Sequence, residues 1–113
     1  MSMKVYNMVS PRTGRREVAN QFIIEGDGQT IFQSYNSTIA IIDWNKHTVK
    51  IGEDWNYSPT TSKYRNSFFY DNNFTDMQDT KSIRKVMKKV DTDDFALVKH
   101  GMFDDVLFTV SRL

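Results

Sequence analysis

The short reach of its apolar runs constrains this chain more than any other feature. None is longer than the four residues Ile39-Ala40-Ile41-Ile42, far below the ~18 that a membrane-spanning helix needs. Through the first half of the chain such runs alternate with turn chemistry, the signature of short strands. Residues 3–9 and 18–25 read as strands on either side of Pro11-Arg12-Thr13-Gly14-Arg15, a turn-forming stretch. Gly26-Asp27-Gly28-Gln29 connects tightly to a strand over Thr30–Tyr35, because an Asp-Gly pair favours the positive φ of a hairpin turn. Asn36-Ser37 breaks the run, Thr38–Ile42 resumes it, Asp43-Trp44-Asn45-Lys46 turns it, and His47–Ile51 continues it. Consecutive apolar positions at 39–42 predict a strand buried on both faces and central in its sheet.

Helical patterning takes over at Ser58, a good N-cap, followed by Pro59 at a position where a missing N–H costs nothing. Thr60, Thr61, Tyr64 and Phe68 fall within an arc of about 100° and should face the core, with Ser62, Lys63, Arg65 and Asn66 outside it. A second helix, capped by Asp79 or Thr80, is marked by Ile83, Val86, Met87 and Val90 at i, i+3, i+4, i+7. Asp91-Thr92-Asp93-Asp94 reads as a solvated connection beyond it. It lacks the Gly and Glu positions of a calcium loop. Phe95–Lys99 and Val106–Val110 close the chain as a strand pair around His100-Gly101, with Val106, Phe108 and Val110 on one face. Strands, then helices, then strands predict an α+β fold. The expected form is one domain over 1–113, with a mainly antiparallel sheet of about five to seven strands and two helices at about 58–70 and 80–90. Helices on one face of such a sheet would leave the other partly open to water or a partner.

Enzyme chemistry finds little purchase. The chain has no cysteine, so disulfides, thiolate metal sites and thiol nucleophiles are excluded. His47 and His100 have no ligand-like spacing and no His-Glu-x-x-His motif exists, so no zinc is expected. Gly26-Asp27-Gly28 lacks the spacing and following helix of a phosphate loop. No catalytic residue and no cofactor are expected. The residual enzyme reading is a carboxylate pair distant in sequence. The N-terminus has no apolar core of a signal peptide, so a cytoplasmic protein of the host cell, away from the membrane, is the expectation.

Formal net charge is +1, which excludes a generally basic or acidic protein. The average conceals blocks. Net charge is +3 over residues 1–20, −3 over 21–62, +2 over 63–70, −3 over 71–80, +5 over 81–90 and −3 over 91–113. The +5 block is the second helix, where Lys81, Arg84, Lys85, Lys88 and Lys89 project about 100–240° from Ile83, opposite the apolar stripe. The plain reading is a solvated face. Against it, Lys81/Lys85, Arg84/Lys88 and Lys85/Lys89 are like-charged i, i+4 pairs, each costing about 0.2–0.5 kcal/mol. A face chosen only for solubility can mix signs. Unmixed charge suits phosphates or an acidic protein patch.

The second dense segment runs from Trp55 to Phe69. Ser58 as cap, Tyr57 closing the helix start, and Tyr64 and Phe68 in the core would account for much of it structurally. Trp55, Tyr57, Thr60, Lys63, Tyr64 and Arg65 are equally the residue types of a recognition surface, where rigid aromatics with polar tips bind at low entropy cost. Phe32-Gln33-Ser34-Tyr35-Asn36-Ser37-Thr38-Ile39-Ala40 and the later Tyr57-Ser58-Pro59-Thr60-Thr61-Ser62-Lys63-Tyr64 resemble a family of small bacteriophage and mobile-element proteins of unknown function. Its pattern is a strand with Ser-Tyr-Asn and Ile-Ala, then Tyr-Ser-x-Thr-Thr-x-x-Tyr at a helix start. The resemblance spans about residues 30–69 and implies a phage or plasmid setting without a mechanism. The leading expectation is a non-enzymatic binding protein for a host or phage protein, with counter-defence inhibition as one form. The alternative is a nucleic-acid-binding accessory protein that sets the basic helix on phosphates and stacks Trp55, Tyr57 or Tyr64 on bases. Oligomeric state is left open.

Overall fold

The computed structural model describes residues 3–10, 16–101 and 106–113. Seven strands form one sheet: β1 (Lys4–Val9), β2 (Glu17–Gly26), β3 (Gln29–Ser34), β4 (Ser37–Asp43), β5 (Thr48–Ile51), β6 (Ala96–His100) and β7 (Val106–Arg112). Helices α1 (Pro59–Asp71) and α2 (Thr80–Asp93) lie between β5 and β6 in the chain. The sheet order is β1-β2-β3-β4-β5-β7-β6, with β4 in the middle. Every neighbouring pair is antiparallel except β5 and β7. An α+β fold with a mainly antiparallel sheet and two helices is therefore what this sequence makes.

Local chemistry sets the meander. Asp27 and Gly28 take φ of 56° and 74°, the left-handed pair that a two-residue hairpin between β2 and β3 requires. Alternation then aims Ile23, Phe32, Ile42, Val49, Phe108, Val110, Ala96 and Val98 at the helices. They meet Tyr64, Phe68 and Phe69 of α1, Ile83, Met87 and Val90 of α2, and Phe74 and Met77 from the loop between. Aromatic rings bind these layers. Phe32 stacks on Phe68 at 5.6 Å, and Phe74 sets its edge against Phe69 at 5.8 Å and Phe108 at 5.1 Å. Trp44 leaves the β4–β5 turn to pack on Phe74 and Phe108, its Nε1–H donating to Thr30 Oγ1 at 2.9 Å. Both histidines belong to this cluster: His47 stacks on Phe108, and His100 packs against Trp44 and Phe74.

Four expectations need correction, and the second helix runs longer than its pattern predicts. On α1, Thr60 is exposed and Arg65 is fully buried, so the core face runs 61, 64, 65, 68, 69. A cation occupies a position the stripe reserves for an apolar residue, because its donors find internal acceptors. Tyr57 does not close the helix start but stands 70% exposed. The helix over 80–90 continues to Asp93, and the left-handed Asp94 (φ 71°) ends it. Asp91 and Asp93 oppose the helix dipole, yet Arg112 pairs with Asp91 at 2.7 Å and Lys89 with Asp93 at 3.4 Å, which sustains the extra turn. His47 lies in the turn before β5, at φ 53°. In β4, Ile39, Ala40 and Ile42 are buried but Ile41 is only half-buried. The turn read at Pro11–Arg15 lies outside the described residues.

Ile41 is half-buried because its face of the sheet carries no second layer among the described residues. Cross-strand partners Val5, Ile24, Ile31 and Ile41 line up there across β1 to β4, and the row continues into Lys50 and Ser111.

Gly52, directly after β5, sits so close to β4 that a Cβ there would collide with the carbonyl oxygen of Thr38, while its N–H bonds to Ile39 O at 2.8 Å. Gly52→Ala should lower stability by about 1–3 kcal/mol, the usual range for overpacking. A reduced urea midpoint with an unchanged slope is the check.

Candidate binding site at the head of α1 and along α2

The segment from Gly52 to Ser58 runs to the start of α1 in tight turns, with Trp55 N–H on Gly52 O at 3.2 Å and Tyr57 N–H on Asp54 O at 3.1 Å. Ser58 caps the helix, accepting from Thr61 N–H at 3.1 Å. Its own hydroxyl donates to Thr61 Oγ1, which shares a 2.9 Å hydrogen bond with Ser34 Oγ on β3. The head of α1 is thereby pinned beside the β3–β4 turn.

Between them lies a cavity of about 570 Å³, lined by Ser34, Tyr35, Asn36, Ser37 and Ile39 on one side and Asp54, Tyr57, Ser58, Thr60 and Thr61 on the other. Asp54 is held in place by Ser37, whose hydroxyl donates to Oδ2 at 2.6 Å. Two tyrosines contribute to the rim, Tyr35 at 51% and Tyr57 at 70% exposure. Tyr35 has φ of 55°, a conformation a bulky residue rarely adopts. It is locked there by its N–H on Asn20 O at 2.7 Å and by Gln33 Nε2 on its carbonyl at 2.8 Å.

The start of α1 offers few backbone donors to a phosphate. Pro59 has no N–H, that of Thr61 is taken by Ser58 Oγ, and that of Ser62 closes on Ser58 O at 2.9 Å. With Asp54 on its wall, the site offers hydroxyls, a carboxylate and two phenols, which suit a donor-rich partner. Neither histidine lines it, and among the described residues no cluster of three or more His, Cys, Asp or Glu could hold a metal ion.

Arg65 lies beneath and joins this site to α2. Nη1 donates to Trp55 O at 2.6 Å, Nη2 to Thr80 Oγ1 and to Asn66 Oδ1 at 3.0 Å each, and Nε to Asn66 Oδ1 at 3.2 Å. The guanidinium also sits 5.4 Å from the centre of the Trp55 ring. No carboxylate pairs with it among the described residues. Burial, and then the nearby Arg84, pull its pKa down to about 10, which still leaves it charged at neutral pH.

The residues singled out in the sequence therefore separate by depth. Tyr57, Thr60 and Lys63 are exposed, Trp55 is half-buried, and Tyr64 and Arg65 are internal. Tyr64 and Arg65 can position a partner-binding surface but cannot form it. Lys81, Arg84, Lys85, Lys88 and Lys89 are all exposed along α2. Of these, Lys89 is tied to Asp93, and the other four have no ion pair among the described residues. Tyr35, Ser37 and Asp54 are additions that register brings in. The Ser-Tyr-Asn of the resemblance was the available signal for Tyr35.

A smaller cleft of about 330 Å³ at the β1 edge brings Glu25 and Asp71 together with Tyr6. Tyr6 OH donates to Glu25 Oε1 at 2.7 Å, and burial, then this bond, raise the phenol's pKa to about 12. Burial raises Asp71 as well. Two carboxylates thus share one cleft, with no histidine or cysteine among its lining residues.

Replacing Arg65 with Leu strands the Trp55 carbonyl, Thr80 Oγ1 and Asn66 Oδ1 and frees the 52–58 segment. The expected loss is about 2–4 kcal/mol, from several charge-assisted bonds removed at a buried site. Chemical denaturation measures it, and Arg65→Lys should recover only part, because an ammonium cannot span the same acceptors.

The chain belongs to a family of unknown function, DUF8033, whose model matches residues 3–85. No curated protein and no solved structure matches it. The family region takes in the whole cavity at the head of α1 and, on α2, reaches as far as Lys85.

Proposed function

We propose that this is a small non-enzymatic binding protein that docks on a host or phage protein through the surface at the head of α1. The resemblance to bacteriophage and mobile-element proteins supplies the setting, in which the binding would serve counter-defence inhibition. The observation that carries the reading is the pair of exposed tyrosines at a polar cavity, one of them held in left-handed backbone. Backbone strain in a bulky aromatic persists only where surrounding structure enforces it, and it clusters at working surfaces. Tyrosine is also among the residues that dominate binding energy at interfaces. Affinity capture from host lysate with the wild-type chain and with Tyr35→Ala/Tyr57→Ala is the test. The expected result is a partner recovered by wild type and reduced at least about tenfold by the double variant, as for loss of a hot spot. Equal recovery by both, or no partner above background, would overturn the proposal.

The second reading, nucleic-acid binding, draws on the four cations of α2 that have no ion pair among the described residues. Tyr57 is free to stack on a base, whereas Trp55 is half-buried against Arg65. If Lys81, Arg84, Lys85 and Lys88 each neutralise a phosphate, log K should fall with log salt at a slope of about −3 to −4. Lys85→Glu/Lys88→Glu should flatten that slope. Oligonucleotide titrations by tyrosine and tryptophan fluorescence across a salt series read it, and absence of binding at low salt removes the reading.

A further inference from the structure

We infer that the uncovered face of the sheet is a self-association surface, and that its occupant is a second copy of this chain packed sheet to sheet. Both helices pack on one side, so the cross-strand row Val5, Ile24, Ile31 and Ile41 faces outward together with Phe22, which pairs with Asn7 and Gln33 in the adjacent row. Val5 is 64% exposed, and Leu97 and Leu107 on β6 and β7 are exposed on the same face. An antiparallel sheet that faces water on one side normally alternates apolar-in and polar-out. Here one outward row, running across four adjacent strands, is aliphatic. A contiguous apolar surface of this kind marks an interaction site.

Size and charge select the occupant. Seven strands at about 4.8 Å spacing, each about six residues long, give a face of roughly 34 by 20 Å, about 670 Å². Specific interfaces bury about 600–1,000 Å² on each partner, so one sheet covering another falls within the lower part of that range. Two sheets stacked about 10 Å apart would interdigitate these side chains as in a β-sandwich. The face is also electrostatically compatible with its own copy. Among the described residues its charges include Lys50 and Lys99 against Asp43, and the rows around the aliphatic one carry Asn7, Gln29, Gln33, Thr48 and Thr109. The α2 face, with five cations, would repel a copy of itself.

Sedimentation equilibrium of the wild-type chain and of Ile24→Lys/Ile31→Lys tests this. Both substitutions point away from the core, so far-UV circular dichroism should be unchanged. The expected result is a wild-type mass of twice 13.2 kDa at about 100 µM, falling on dilution, and an apparent Kd raised at least about tenfold by the variant. A wild-type monomer at that concentration, or a dimer the variant leaves intact, overturns the inference. A second measurement needs no variant: methyl signals of Ile24, Ile31 and Ile41 should be broadened by a soluble paramagnetic agent in dilute protein and protected in concentrated protein. Equal broadening at both concentrations overturns the inference, because a surface reserved for a different protein stays open in the pure chain.

Discussion

The fully buried guanidinium of Arg65 is the constraint on which the half of the molecule carrying the candidate site depends. Its donors reach the carbonyl of Trp55, the first residue of α2 and its own neighbour on α1. The loop that presents Tyr57 and the helix that presents the cations are thus referenced to one group. A buried charge without a carboxylate is costly unless its hydrogen bonds are satisfied, and here neutral oxygens satisfy it. The same fork that stabilises the junction keeps the two surfaces in fixed relation. A lysine at this position would supply a point charge and not that geometry.

What the sequence reveals follows from how local each signal is. The Asp27-Gly28 hairpin, the Ser58-Pro59 helix start and the Ile83/Met87/Val90 stripe rest on neighbours within one or two turns, and each is found in place. The parallel β5–β7 pair joins residues about 60 apart and has no local signature. The sequence pattern puts Arg65 outside because charge normally forbids the interior, and its acceptors at 55 and 80 are remote in the chain. The last turn of α2 has no local signal for a related reason, since Asp91 disfavours it locally and Arg112 of β7 restores it. The candidate site shows the same division. Tyr57 and Thr60 were visible as residue types, whereas Tyr35 and Asp54 join them only through strand register and the hydrogen bond from Ser37.

The sheet has two unequal sides. Aromatic packing around Phe74 and Phe108 gathers the helix side, both histidines included, into one cluster. This accounts for the ring contacts of the two histidines, His47 remaining exposed and His100 half-buried. On the other side the polar and apolar rows alternate along each strand, with no second layer among the described residues. The aliphatic row becomes recognisable only when registers are known, because Val5, Ile24, Ile31 and Ile41 come from four separate strands.

These surfaces do not compete for space. The cavity at the head of α1 involves the end of β3, the start of β4 and a helix, while the cations run along α2, on the opposite side of the sheet from the aliphatic row. Sheet-to-sheet pairing would therefore leave the cavity and the basic helix of each copy facing outward. A pair of this kind presents every docking element twice. With two linked sites the second contact becomes intramolecular, so overall binding can exceed that of one site by about 10²–10⁴ without any new contact. The weak individual attractions expected of exposed lysines, screened within about 8 Å at physiological salt, could then support a stable complex. Pairing thus offers a physical reason for a chain this small to hold its apolar face apart from its charged one.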